Sequence, residues 1–183
     1  MATMTTVKKS IITAVCIALC VVLPMAFHAI PNAGSVYCPM HIPVLLCGLI
    51  CGPQYGLLCG LAGPALSTLF TGMPPVAYLP PMMIEIAVYG TLCGLMMKVV
   101  HTKNLYADLY VSLIIAMLGG RIVGGLAKAL IFAGGEYSMA TWATGYFVTS
   151  LPGIIVHLVL IPSIVVALMR AMLIPERYPK VDS

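Results

Sequence analysis

Apolar runs separated by short polar or proline-rich stretches make up most of this chain. The runs cover approximately residues 10–27, 40–51, 56–70, 81–100, 107–133 and 146–173. A helix needs roughly 20 mainly apolar residues to cross the hydrocarbon core of a bilayer. The pattern therefore predicts an all-α integral membrane protein, in which residues 1–183 form a single transmembrane domain, a bundle of six helices in the lipid bilayer.

The composition agrees with a surface that faces lipid. Of the 183 residues, 61% are hydrophobic and 8% are charged, whereas a soluble domain carries roughly a quarter charged residues. The net charge of +4 is small and scattered, so we expect no nucleic-acid partner. Six of the seven cysteines lie within apolar runs, and none has the spacing of a metal or redox motif. We expect neither a metal nor a cofactor.

Basic residues predict the orientation of the bundle. The loops at 28–40, 71–81 and 134–145 contain no lysine or arginine, so all the basic residues outside the spans fall on the side of the two termini. Basic loops stay in the cytoplasm. We therefore expect both termini to be cytoplasmic, the three loops to face outward, and the polar tail from Pro175 onward to be frayed. The basic residues on the terminal side are Lys8, Lys9, Lys98, Lys103, Arg170, Arg177 and Lys180.

Away from the terminal side of the bundle, three charged residues remain inside the apolar runs: Glu85, Arg121 and Lys128. An unpaired charge near the centre of a transmembrane helix costs at least about 2.5 kcal/mol, so we expect these side chains to face a cavity or one another. Arg121 and Lys128 are seven residues apart and share one helix face. Gly124 and Gly125 lie between them and would clear space beside that face.

These charges have two interpretations. Glu85 could form a structural ion pair with Lys128 or with Arg121. One carboxylate cannot neutralise two cations, however, and the surplus positive charge would suit an anionic ligand, since the planar guanidinium matches a carboxylate. Tyr89, which is one turn from Glu85, and two histidines are also candidate binding residues. Each histidine could equally be an ordinary packing or interface residue. The predicted binding residues are Glu85, Tyr89, Arg121, Lys128, His157 and His41.

Two further features limit the possible functions. Glycines recur four residues apart, as at Gly48, Gly52, Gly56 and Gly60, and this spacing favours close helix packing in membranes. The chain has no HExxH, GxSxG, CxxC or nucleotide-binding motif. We therefore expect a protein that is not an enzyme and that takes any transport energy from a partner.

Short motifs in the first three helices resemble one family. Helix 1 contains AVCIA, with Ala14 and Ala18 four residues apart, and residues 40–48, 52–56 and 72–75 read MHIPVLLCG, GPQYG and GMPP. With the chain length and helix pattern, these motifs resemble the substrate-binding S component of energy-coupling factor (ECF) vitamin transporters. The resemblance covers most of the chain.

The resemblance implies a binding subunit of the bacterial plasma membrane. Its pocket would open outward between the outer parts of helices 4, 5 and 6 and the odd-numbered loops, where Glu85, Arg121, Lys128 and His157 fall. Ala14 and Ala18 would dock on a transmembrane coupling protein, and two cytoplasmic ATPases would drive uptake. The net positive buried charge favours a carboxylate vitamin, pantothenate first. Other possible substrates are folate, niacin, lipoate, and the neutral ligands pyridoxine and a queuosine precursor. A different possibility is a membrane assembly subunit that binds no ligand.

Overall fold

The structure of the protein, a computed structural model, describes residues 4–27, 32–132 and 138–178. These residues form helices and connecting turns, with no β-strand among them. The helices are α1 (Thr6–Ala26), α2 (Ala33–Tyr37), α3 (His41–Cys51), α4 (Pro53–Thr71), α5 (Leu79–Val99), α6 (Leu105–Ala127), α7 (Met139–Ala143) and α8 (Leu151–Arg170). A 3₁₀ turn, Val76–Tyr78, precedes α5, and π-helical stretches follow α6 (Lys128–Phe132) and α7 (Thr144–Thr149).

Each of the six predicted helices overlaps a long helix of the described residues. Five segments are long and apolar enough to cross a membrane, and α4 is not within any of them. The all-helical membrane class is confirmed, whereas the count of six spans and the cytoplasmic termini stay predictions. The five segments are Thr6–Ala26, Gly34–Cys51, Val76–Val99, Leu105–Leu130 and Leu151–Arg170. The predicted end of the fifth helix, at residue 133, lies outside the described residues.

The start of α4 and two of the predicted loops differ from the sequence pattern. The turn between α3 and α4 is a single residue, Gly52, whose φ of 98° favours glycine. Pro53 then occupies the first turn of α4, where its missing N–H is tolerated, so α4 begins three residues earlier than predicted. The short helices α2 and α7 lie in predicted loops, and α2 packs against α8 at Gly153, beside the carbonyl oxygen of Val36.

The centre of the bundle is α3, which is buried at every position except Ile50. An apolar helix without a polar face is expected at the core. Glycines let α4 and α5 approach α3 and each other backbone to backbone. A Cβ atom on Gly56 would lie 2.6 Å from the carbonyl carbon of Gly90, and one on Gly60 would lie 2.6 Å from Cα of Ala87. The glycine series is thus a packing device, as its spacing indicates.

The terminal end of the bundle, where α1 begins and α8 ends, holds a buried ion pair. Asp108 in the first turn of α6 is fully buried, and one of its oxygens accepts a hydrogen bond of 2.5 Å from Nε of Arg177. The same oxygen accepts the hydroxyl of Tyr178 at 2.6 Å, while the other accepts the backbone N–H and hydroxyl of Thr102. Arg177 also donates to the carbonyl of Val100.

This tail cluster, formed by Thr102, Asp108, Arg177 and Tyr178, corrects one expectation. The tail was predicted to be frayed, but up to Tyr178 it is fastened to the loop between α5 and α6. The sequence pattern missed this because Asp108 lies among the polar residues at a helix start and does not stand out. Residues 179–183 lie outside the described part of the chain.

Candidate functional site

Polar side chains from four helices and the π-helical stretch before α8 meet near the end of the bundle opposite the termini. Glu85 of α5 is at the centre of this polar cluster. Its Oε1 accepts the hydroxyl of Tyr89 at 3.2 Å and lies 3.8 Å from Nε2 of His41. Its Oε2 accepts the hydroxyl of Tyr146 at 3.0 Å. The carboxylate therefore links α3, α5 and the segment that precedes α8.

Arg121 of α6 lies within the same cluster and is only 4% exposed. Its Nη2 donates to the hydroxyl of Ser150 at 3.1 Å, and that hydroxyl donates in turn to the carbonyl of Tyr146 at 2.6 Å. The guanidinium lies over the ring of Phe147, 5.6 Å from its centroid, a cation–π contact. Nε has no hydrogen-bond partner among the described residues.

The partners of Arg121 are thus a hydroxyl and an aromatic ring. Within the described ranges, no carboxylate lies within ion-pair distance of its guanidinium. The alternative in which Glu85 pairs with Arg121 is therefore wrong for this structure: the carboxylate accepts from two phenols and the guanidinium donates to Ser150. A buried guanidinium without a carboxylate in direct contact can accept an anion as a further partner.

Two stacked histidines form the other side of the polar cluster. The rings of His41 on α3 and His157 on α8 are parallel to within 18°, with centroids 6.0 Å apart. The edge of Tyr89 packs against His41 at 4.9 Å. His157 is 1% exposed and lies beside the backbone of Tyr37 and Cys38. Neither of its ring nitrogens, nor Nδ1 of His41, makes a hydrogen bond of good geometry to any described residue.

Residues 138–150 cover this cluster, and we call them the covering segment. Trp142 donates from Nε1 to the carbonyl of Arg121 at 3.2 Å, in addition to the bonds of Tyr146 and Ser150. A Cβ atom on Gly125 would lie 3.2 Å from Cε2 of Trp142, and one on Gly124 would lie 2.8 Å from Cβ of Glu85. The space that these glycines were expected to leave for a ligand is therefore filled by Trp142 and Glu85.

Sequence reasoning missed the residues of the covering segment. Trp142, Tyr146 and Ser150 were not among the predicted binding residues. A signal was present, because these three residues are spaced by four and therefore share one helical face. Each of them makes a hydrogen bond to Glu85 or to Arg121.

The other predicted residues are a lysine at the C-terminal end of α6 and two alanines of α1. Lys128 is half-buried at the start of the π-helical stretch after α6 and has interactions of its own. Ala14 and Ala18 are exposed on α1, whose buried side consists of Thr13, Cys16 and Cys20.

The cluster is closed in this structure. A mainly apolar cavity of about 220 Å³ lies outside it, between α6 and the covering segment, and is bounded by Trp142, Gly125 and Met139. Ser150 and Phe147 of the covering segment lie against the guanidinium of Arg121. Among the described residues, no group of three or more histidine, cysteine or acidic side chains could hold a metal ion.

Comparison with known proteins gives one match. Neither the curated proteins nor the solved structures contain a match to this chain. A family model, that of the substrate-specific component of ECF transporters, matches residues 8–165. The match covers the helices from α1 through most of α8, including every residue of the polar cluster. The chain therefore belongs to the family of ECF transporter substrate-specific components, the membrane subunits that bind the transported substrate.

Proposed function

We propose that this chain binds a small carboxylic acid from the outer side of the bacterial plasma membrane, and that Arg121 binds the carboxylate. The observation that carries the proposal is the guanidinium itself, which is 4% exposed, has neutral partners, and keeps an unpaired Nε. A carboxylate offers two oxygens in the geometry of the guanidinium fork. Pantothenate is our first candidate, with folate, niacin and lipoate as other acids.

Family membership supports the transport part of this proposal. A substrate-specific component works with an ECF module, which supplies a coupling protein and ATPases. This sets aside the alternative of an assembly subunit without a ligand. In our proposal the termini are cytoplasmic, so the polar cluster lies in the outer half of the bundle and the covering segment controls access from outside.

The test compares an acid with its alcohol. Wild-type protein, purified in detergent, is titrated with pantothenate and with its alcohol analogue by calorimetry. We expect wild type to prefer the acid, and Arg121→Met to lose that preference while remaining folded. A hydrogen bond to a charged group contributes about 1.5–3 kcal/mol, so the acid should bind roughly ten- to a hundredfold more weakly. Arg121→Lys keeps the charge without the fork and should fall between the two.

Arg170→Met is the matched control, because Arg170 is exposed at the end of α8. It removes the same charge far from the cluster and should leave both affinities unchanged. If Arg121→Met binds the acid as tightly as wild type, the anion site is wrong. A neutral ligand such as pyridoxine or a queuosine precursor then becomes the better proposal.

A second expectation concerns the coupling protein. Ala14 and Ala18 are exposed on α1, and we propose that this stripe of small side chains packs against the coupling protein. Ala14→Trp and Ala18→Trp should then abolish uptake in cells that contain the whole transporter, while binding by the isolated subunit is unchanged. Ile114→Trp, at an exposed position of α6, should leave uptake intact. Loss of binding together with uptake would instead indicate a role in folding.

A further inference from the structure

Unpaired polar atoms of buried side chains are concentrated in one part of the molecule. Six such atoms occur in the described residues, and four of them belong to Arg121, His41 and His157. The other two are the hydroxyls of Ser67 and Ser112. Buried polar atoms in folded proteins nearly always have a hydrogen-bond partner, so each exception calls for an explanation. Four exceptions within one polar cluster point to a ligand that supplies the partners.

The histidines have a different chemistry from Arg121. A guanidinium only donates, whereas a neutral imidazole has one donor nitrogen and one acceptor nitrogen. His157 is 1% exposed and lies beside the backbone of Tyr37 and Cys38, but neither of its nitrogens makes a hydrogen bond of good geometry there, and His41 adds Nδ1. A hydroxyl group is also both a donor and an acceptor, so it matches this surface. A purely apolar ligand would leave the same nitrogens unpaired and would gain nothing from them.

The surroundings hold the histidines in place for such a contact. Nε2 of His41 lies 3.8 Å from Glu85, and the edge of Tyr89 packs against the same ring. The carboxylate of Glu85 accepts the hydroxyls of Tyr89 and Tyr146. Since both of its oxygens are engaged, Glu85 acts as a positioning residue rather than as a group that contacts the ligand.

The histidine pair and Arg121 are parts of one connected site. Tyr146 bonds to Glu85 through its hydroxyl and accepts from Ser150 through its carbonyl, and Ser150 accepts from Arg121. These bonds place the guanidinium and the imidazoles in one cluster, and a molecule that contacts both would have to displace the covering segment.

From this arrangement we infer that His41 and His157 form a second subsite, which binds hydroxyl groups of the ligand, so that the substrate is a hydroxylated carboxylic acid. The inference rests on the proposed binding of a carboxylate at Arg121 and narrows its substrate class. It sets a hydroxylated acid such as pantothenate ahead of lipoate, whose carboxylate is carried by an apolar chain.

The experiment varies the ligand and the histidine together. The purified full-length protein is titrated with pantothenate and with its dideoxy analogue, which keeps the carboxylate and the amide and replaces both hydroxyls by hydrogen. We expect wild type to bind pantothenate about tenfold more tightly than the analogue, since a neutral hydrogen bond gives a few-fold each. His157→Phe should remove this preference by weakening pantothenate alone, and should keep the preference for acid over alcohol.

Further variants make the result specific. His157→Gln and His41→Gln retain donors and acceptors and test the site if His157→Phe does not fold, as judged by thermal unfolding. They should retain part of the hydroxyl preference. His101→Phe, at an exposed loop position, should behave as wild type. An additive double-mutant cycle between the ligand hydroxyls and His157 would overturn the inference.

Failure of the inference differs from failure of the proposed function. If wild type binds lipoate or the dideoxy analogue as tightly as pantothenate, and Arg121→Met still weakens the acids, then the carboxylate site stands and the hydroxyl subsite is wrong. If Arg121→Met has no effect on any acid, or wild type binds none of them, then the proposed function has failed and the inference fails with it.

Discussion

Asp108→Ala is expected to destabilise the protein by about 3–5 kcal/mol, because it leaves the charge of Arg177 buried without its carboxylate. Arg177 is 7% exposed and Asp108 is fully buried. The substitution also removes the acceptor of the Tyr178 and Thr102 hydrogen bonds. The measurement is the free energy of unfolding in detergent, which a denaturant titration gives.

A double variant separates the ion pair from the rest of the cluster. Asp108→Ala combined with Arg177→Met removes both charges, and it should be markedly more stable than Asp108→Ala alone, because no charge is left buried. Glu176→Ala, the exposed acidic neighbour, should change stability by less than about 0.5 kcal/mol. A double variant whose loss equals the sum of the two single losses would contradict the buried pair.

Gly90→Val is expected to prevent accumulation of the folded protein. A Cβ atom at position 90 would lie 2.6 Å from the carbonyl carbon of Gly56 and 2.9 Å from Cγ1 of Val44. Overpacking a core by extra methyl groups costs about 1–3 kcal/mol when side chains can adjust. Here the obstacle includes backbone of α4, which can move only with its helix, so we expect a loss at or above the upper end of that range.

The yield of monodisperse protein after detergent extraction and its thermal unfolding midpoint measure this effect. Gly34→Ala is the matched control, because a Cβ atom on Gly34 meets no atom within 4 Å. It should leave both quantities unchanged. A Gly90→Val protein that is extracted in normal yield and unfolds at the wild-type temperature would show that α4 and α5 are not in close contact.

The sequence predicted the parts of the fold that depend on apolar length and on the cost of charge. Long apolar runs could only be helices in a membrane protein, and all six overlap observed helices. Glu85 and Arg121 were selected because a charge is expensive within such a run, and both lie in the polar cluster. These features could be predicted because one free-energy contribution, the cost of placing polar or charged groups in lipid, outweighs the others.

The partners of those charges could not be predicted in the same way. Ser150 bonds to Arg121, and Tyr146 bonds to Glu85. Both residues lie in a stretch with a short helix and an ordinary composition. Asp108 lies at the start of the predicted run 107–133 and was not selected, and its bond to Arg177 spans 69 positions of the chain. Contacts of this kind depend on how the helices are placed in three dimensions, which hydrophobic periodicity does not specify.

The backbone contacts among α3, α4 and α5 also bear on how such a protein can change its ligand during evolution. Side chains have no room at Gly48, Gly56 or Gly90, so variation there is removed by selection for folding. Adaptive substitutions are then confined to the side chains of the polar cluster, which project from α3, α5, α6, α8 and the covering segment. A lineage could exchange one nutrient for another by altering a handful of codons at these positions while the glycines between the three central helices stay unchanged.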